Sequence, residues 1–423
     1  MKIKVKDLSY DEVLALKPEK HHKPMRPHFI FRLILRIASW FLLLKNRYTY
    51  NCIGMEKLNK NEPAFYLMNH SAFVDLLIAV YTLFPRPVNI VASTDAFVGK
   101  NLLMRLIGCI PARKFVSDIR LVKDMLHAVR KNKTSVLMYP EAGYSFDGTS
   151  TTIADSIGKC IKMLGIPVVM ITTRGAFHHD PLYNGLQLRK VKVTADVKYL
   201  LSPDKIKEMS EAEINEIVYK EFAFDNFRWQ QENGIKIIEK FRADYLNRVL
   251  YKCPHCLSEG STVGDGIHLT CTACGKVYEL TEDGFIKALD GNTEFNHIPD
   301  WYAWERECVR REIENGTYNL DVPVDILMAV NSKCIYRVGE GNLKHSLNGF
   351  ELSGCDGKLD FKLRPSATYC INSDFLWYEL GDMISIGDTK AFYYCFPKTK
   401  GDIVAKTRLA TEELYKFGKA LKN

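Results

Sequence analysis

The chain has 423 residues, 47% of them hydrophobic and 26% charged, with twelve cysteines and a formal net charge of +8. That composition excludes a disordered or fibrous chain and is long enough for two or three domains with cores of their own. Scattered cysteines and no cleavable leader pattern argue against a disulfide framework and for a reducing compartment, the cytoplasm or its membrane face.

The charge is concentrated at the start. Residues 1–50 hold eleven Lys or Arg against four acids, a net +7, and the remainder is close to neutral. Such a segment attracts anionic lipid headgroups, at about 1 kcal/mol per cation near the surface, or nucleic-acid phosphates. Its neighbour decides between them: FIFRLILRIASWFLLL, from Phe29 to Leu44, is apolar apart from Arg32, Arg36 and Ser39. It is too short and too charged to span a bilayer, which takes about 20 apolar residues. With Arg32 and Arg36 on one face, it reads as a helix lying on the membrane surface. Residues 1–49 are therefore expected to be a basic, amphipathic, membrane-contacting segment, which makes the protein peripheral on the cytoplasmic face.

From Tyr50 to about Asp196 short apolar runs alternate with helical patterns. AFYLMNH, VNIVAS, TSVLMYPE, IPVVMITT and VKVTADV read as strands; LLMRLIG, DIRLVKDMLHAVRKN and IADSIGKCIKMLG read as helices. This is an α/β layer architecture with a largely parallel sheet. Helical patterns then continue to about Leu250, so residues 50–250 form one domain. Within it, AFYLMNH leads directly into SAFVDLLIAVYTLF, a helical pattern with Ser71 at the N-cap. His70 is thereby expected at a strand's carboxyl end, where open α/β sheets bind ligands. Asp75, one turn into the helix, can hold one imidazole nitrogen protonated and leave the other as a base. The pair has no Ser or Cys nucleophile, and so suits a reaction whose substrate brings its own hydroxyl.

Cys253-Pro-His-Cys256 and Cys271-Thr-Ala-Cys274, fourteen residues apart, have the spacing of a structural zinc ribbon over residues 251–290. Four thiolates close the site, so the metal is expected to be structural. Only three cations against eight acids occur in residues 251–300, which argues against nucleic-acid binding. Residues 300–423 turn to glycine-punctuated β-rich runs and end in a helix, with Trp301, Trp304 and Trp377 as core or interface aromatics. This tail loosely resembles the small barrels of pleckstrin-homology-like domains.

Four blocks carry a stronger resemblance. NHSAFVD resembles the His-x4-Asp motif of the glycerolipid acyltransferases typified by 1-acylglycerol-3-phosphate acyltransferase, and IGCIPARKF, YPEAGYS and IPVVMIT follow in that family's order. The resemblance implies that His70 and Asp75 are catalytic, that Arg113 holds the acceptor's phosphate, and that Glu141, Gly143 and Ser145 belong to the acceptor-binding loop. It implies acyl-CoA or acyl carrier protein as donor, a lysophospholipid as acceptor, and no nucleic-acid partner. In the third block Ala142, Gly143 and Tyr144 stand where the family has Gly, Thr and Arg. An aromatic cannot make a bidentate phosphate contact, so Arg174 or Lys114 is expected to supply the charge. The competing reading is a non-catalytic membrane adaptor that keeps the acyltransferase fold.

Overall fold

The computed structural model describes residues 3–116, 118–399 and 403–420. The N-terminal stretch, expected as one unit over 1–49, divides. Strand β1 (Val5–Asp7) pairs in parallel with Ile335–Arg337 of a C-terminal sheet, and helix α1 (Tyr10–Leu14), closed by a Ser9/Glu12 capping box, lies beside it. A three-residue strand can satisfy its backbone only on such an edge. Helix α2 (Phe29–Leu44) packs instead on the first α/β domain.

Arg32 and Arg36 do share a face of α2, but it is the inward one. Arg32 donates to the Pro85 carbonyl, and the Arg36 guanidinium lies 3.2 Å from the centre of the Tyr81 ring. The outward face is apolar: Phe29, Ile30, Ile34 and Phe41 are each more than half exposed. Among the described residues no helix is long and apolar enough to cross a membrane.

The α/β domain is built on β2 (Thr49–Ile53), β3 (Phe65–Met68), α3 (Val74–Leu83), β4 (Val88–Ser93), α4 (Asn101–Leu106), β5 (Cys109–Ala112), α5 (Ile119–Arg130), β6 (Ser135–Met138), α6 (Ile157–Leu164), β7 (Val168–Arg174), α7 (Ala176–His179) and β8 (Thr194–Leu201). Its sheet runs β2-β8-β7-β3-β6-β4-β5, with β7–β8 antiparallel and the other pairs parallel. Alternation serves both layers: Phe65 and Leu67 of β3 face a core shared with α5 and α6, while Tyr66 and Met68 face α3. All four are fully buried, which is why β3 reads as a continuous apolar run rather than an alternating one.

Helices α8 (Pro203–Glu208), α9 (Glu211–Phe222) and α10 (Asn226–Glu232) follow. α10 ends before Gly234, at φ +61°, and the further helix expected from there to about Leu250 does not form beyond a 3₁₀ turn at Leu246–Arg248: the chain is held by ribbon carbonyls instead, the Ile237 amide donating to Glu282, Ala243 to Gly266 and Tyr245 to Gly264. The ribbon itself is a four-stranded antiparallel sheet of β9 (Thr262–Asp265), β10 (His268–Cys271), β11 (Val277–Leu280) and β12 (Ile286–Ala288).

The tail opens not on a strand but on α11 (Ile298–Glu314), which buries Trp301. An antiparallel sheet follows, with β13 (Asn319–Met328), β14 (Ile335–Ser346), β15 (Gly349–Gly354), β16 (Leu359–Leu363), β17 (Asn372–Asp374), β18 (Met383–Gly387) and β19 (Phe392–Pro397), and α12 (Ile403–Ala420) packs against α11. Of ATYCIN and FLWYELG, expected as strands, only Asn372 enters β17; the rest is bends and irregular chain, with Ala367 ending one short turn and Trp377–Glu379 forming another. The sheet order β16-β15-β14-β13-β19-β18-β17 is open, not a closed barrel, with β1 added on β14.

Candidate active site

Asn69 locks the end of β3 to the end of β7. Its Oδ1 accepts from the Thr173 amide at 2.7 Å, and its Nδ2 donates to the Thr173 carbonyl. His70 follows at the carboxyl edge of the sheet. The helix after it starts later than the sequence indicates, with Phe73 rather than Ser71 at its N-cap and no side-chain cap. Asp75, the second helical residue, does the capping: its Oδ2 accepts from the Ser71 and Ala72 amides at 2.6 and 2.9 Å, and its Oδ1 from the Thr173 hydroxyl. Residues 69–72 therefore turn around this carboxylate instead of joining the helix.

That turn brings Nδ1 of His70 to 3.5 Å from Asp75 Oδ2, a long contact between a partly exposed imidazole and a fully buried carboxylate. Burial holds the His70 pKa below its ordinary value; the hydrogen bond and charge of Asp75 push the other way, and Lys114 adds to the depression. The imidazole is accordingly neutral at pH 7, the form a base requires.

The third block wraps the His70 backbone. Glu141 Oε2 accepts from the His70 amide and Oε1 from the Thr151 amide, each at 2.7 Å, and the Ser145 amide donates to the His70 carbonyl at 3.2 Å. Burial raises the Glu141 carboxyl to about 7 against the pull of those two amides. Ser145 Oγ donates to the Thr149 carbonyl and accepts from the Gly148 amide, closing the loop. Gly143 donates its amide to the Glu141 carbonyl, and a Cβ there would meet nothing within 4 Å. Glu141 and Ser145 thus position His70, and the contacts seen here are with the chain itself.

Two rings sandwich the imidazole. Tyr139 stacks on it at 4.2 Å between centroids and Tyr144 tilts against it at 4.4 Å. The Tyr144 carbonyl is in turn held by Arg408 of α12. Of the three basic residues expected to face a phosphate, Arg113 donates to the Asp388 carbonyl at 2.9 Å, Lys114 follows Arg113 in the turn after β5, and Arg174 is paired with Asp196 at 2.5 Å across the antiparallel β7–β8 pair. The Arg174 charge is already used there, which weakens the expectation placed on it. Sequence reasoning passed over Asn69, Thr173 and Tyr139. Asn69 and Tyr139 open the first and third blocks and Thr173 follows the fourth, and position is the one signal the sequence carried for them.

A histidine and a buried carboxylate thus meet at the carboxyl edge of the sheet, held by the Pro140-Glu141 loop. Residues 49–174, which include all four blocks, match the family model described as Acyltransferase. The chain is also similar to a solved structure, the 1-acyl-sn-glycerophosphate (LPA) acyltransferase PlsC from Thermotoga maritima, at 16% identity and a TM-score of 0.38, covering 45% of this chain and 76% of that one. No curated protein matches. The resemblance read from the four blocks is thus met over residues 49–174, a span that ends at the close of β7.

The four ribbon cysteines converge. All four Sγ atoms lie within 4.8 Å of one another, with Cys253–Cys274 at 3.9 Å and Cys256–Cys271 at 3.7 Å. Four thiolates about 2.3 Å from a central zinc would stand about 3.8 Å apart, whereas a disulfide needs about 2.05 Å. The donor set fits a tetrahedral metal.

Proposed function

We propose that this protein is an O-acyltransferase that moves a fatty acyl group from acyl-CoA or acyl carrier protein to the hydroxyl of a lysophospholipid at a membrane surface. The reading rests on the neutral, clamped His70. With Nδ1 turned to Asp75, Nε2 takes the acceptor's hydroxyl proton as that oxygen attacks the thioester carbonyl. The C–O bond forms, the C–S bond breaks, and the departing thiolate takes up the proton.

The apolar outer face of α2 supports a peripheral site on the cytoplasmic face of a membrane, since contiguous apolar surface of this kind marks an interaction site. Cys253, Cys256, Cys271 and Cys274 would hold a structural zinc, which ties the ribbon together and takes no part in transfer. One observation favours a non-catalytic lipid-docking adaptor: Tyr144 covers His70, whose side chain is 18% exposed.

The test is transfer from labelled acyl-CoA and acyl carrier protein to a panel of lysophospholipids. His70→Ala should cut the rate by roughly 10²–10⁴-fold with the fold intact by circular dichroism. Equal rates in the two proteins would sink the enzyme reading, and silence in both with vesicle binding retained would favour the adaptor.

A further inference from the structure

The loop that carries Tyr144 is gripped from the C-terminal domain. Arg408 of α12 donates from Nη1 to the Tyr144 carbonyl at 3.2 Å, and its guanidinium lies 4.4 Å from the centre of the Phe146 ring, two residues further along the same loop. Phe146 also packs on Phe375 at 4.5 Å. The tail therefore holds this loop on both sides of Ser145.

The Tyr144 carbonyl and the Ser145 amide belong to one planar peptide unit, in which oxygen and N–H point in opposite directions. The oxygen accepts from Arg408, and the N–H donates to the His70 carbonyl, also at 3.2 Å. The unit is a strut, with the C-terminal domain at one end and the backbone of His70 at the other. Rotating it would break both bonds at once, and would carry with it the Tyr144 ring that lies 4.4 Å from the imidazole.

Arg408 is 4% exposed, and a buried guanidinium is unfavourable unless its charge and donors are met. Its carboxylate partner, Glu412, stands 3.6 Å from Nε and is also paired with Arg306 of α11 at 2.7 Å. That second pairing ties α12 to α11 by itself, so the packing of the two helices does not call for a cation at position 408. What the arginine supplies is a planar fork that meets a carbonyl, a carboxylate and an aromatic face together, a combination lysine and methionine do not offer.

We propose that Arg408 of the C-terminal domain is a positioning residue for His70, which it orients by fixing the Tyr144–Ser145 peptide. The inference rests on the acyltransferase reading for the reaction this serves, and it gives the tail a part in catalysis without contact to substrate.

The test uses the full chain and two readouts: steady-state acyl transfer, and the His70 ring resonances in histidine-labelled protein by nitrogen NMR, assigned with His70→Ala. Arg408→Met should lower kcat by roughly 10–10²-fold with KM little changed and circular dichroism preserved. Its His70 resonances should be displaced, because a ring that moves between Tyr139 and Tyr144 changes its shielding. Arg408→Lys, which keeps the charge but a single donor group, should show both effects to a smaller extent, and it decides the question if the Met variant does not fold. Arg310→Gln is the control, since Arg310 pairs with Glu413 across the same two helices without touching the loop; it should leave both readouts at wild-type values. His70 resonances that stay in place in the folded Arg408 variants overturn the proposal, as does an equal displacement in Arg310→Gln. A wild type inactive on every substrate, with His70 still displaced in the Arg408 variants, would overturn the enzyme reading alone.

Discussion

Ala142 sits at φ +55°, where its Cβ crowds the following carbonyl, and it stands where the family pattern has glycine. Ala142→Gly should therefore stabilise the protein by about 0.5–1 kcal/mol, the relief of strain exceeding the entropy glycine adds to the unfolded chain, as read from urea midpoints. At Asp75 the consequence is chemical as well as structural. Its carboxylate holds two amides and a hydroxyl, so Asp75→Asn should cost about 1–3 kcal/mol by leaving a buried amide facing a donor. Asp75 also opposes the depression of the His70 pKa. The acid limb of the transfer rate should lie below pH 6.5 in wild type, where the imidazole protonates, and fall lower still in the variant. A limb that stayed in place would mean that Asp75 does not act on His70. At this scale the meeting of His70 with Asp75 was legible, as a strand end running into a helix with a carboxylate one turn in. The sequence hid the use of Glu141 and Ser145 as backbone clamps, because a carboxylate that binds amides and one that binds a ligand are written with the same letter.

Whole elements were legible where one period dominated. VNIVAS is the strand Val88–Ser93 to the residue, and the apolar stripe of DIRLVKDMLHAVRKN is α5. Elements whose form depends on distant partners were not. The four-residue β5 lies inside the second block and is a strand because β4 offers it an edge, and α11 is hidden by aromatic residues whose burial against the ribbon makes them helical core. Likewise, α2 turns its arginines inward because Tyr81 and the Pro85 carbonyl receive them, partners that lie about 50 residues away. Strand β14 carries a testable pH device. His345 stacks on Phe350 at 3.7 Å, accepts or donates a hydrogen bond at Tyr318, and is 1% exposed, and burial lowers its pKa to about 3. A base whose folded pKa lies below the unfolded 6.5 contributes stability that is full above pH 6.5 and is lost as pH falls towards 3. At pH 5 the loss is about 2 kcal/mol. His345→Gln should be less stable at pH 7, but its stability difference between pH 7 and pH 5 should be smaller than that of wild type by about that amount, in denaturant titrations at the two pH values.

Across the molecule, one hydrophobic cluster ignores the boundaries that composition suggests. Phe146, Phe177 and Phe227 of the α/β domain and its following helices, Leu269 and Tyr278 of the ribbon, and Trp301, Ile326 and Leu409 of the tail all belong to it. Phe146 lies 4.5 Å from Phe375 across the divide, and Trp301 donates its indole N–H to the Lys252 carbonyl beside the first ribbon cysteine. Separate domains with polar interfaces unfold separately, whereas a continuous core couples them. Calorimetry should accordingly show one cooperative transition for the whole chain. Because metal binding to the folded ribbon alone adds to its stability, chelation of a zinc held by Cys253, Cys256, Cys271 and Cys274 should lower the temperature of that single transition, with metal release measured alongside. Cys271→Ser should act in the same direction. If chelation instead split off a small early transition and left the main one in place, the ribbon would be an independent appendage, and the packing of Tyr278 on Trp301 would not be carrying its stability into the C-terminal domain.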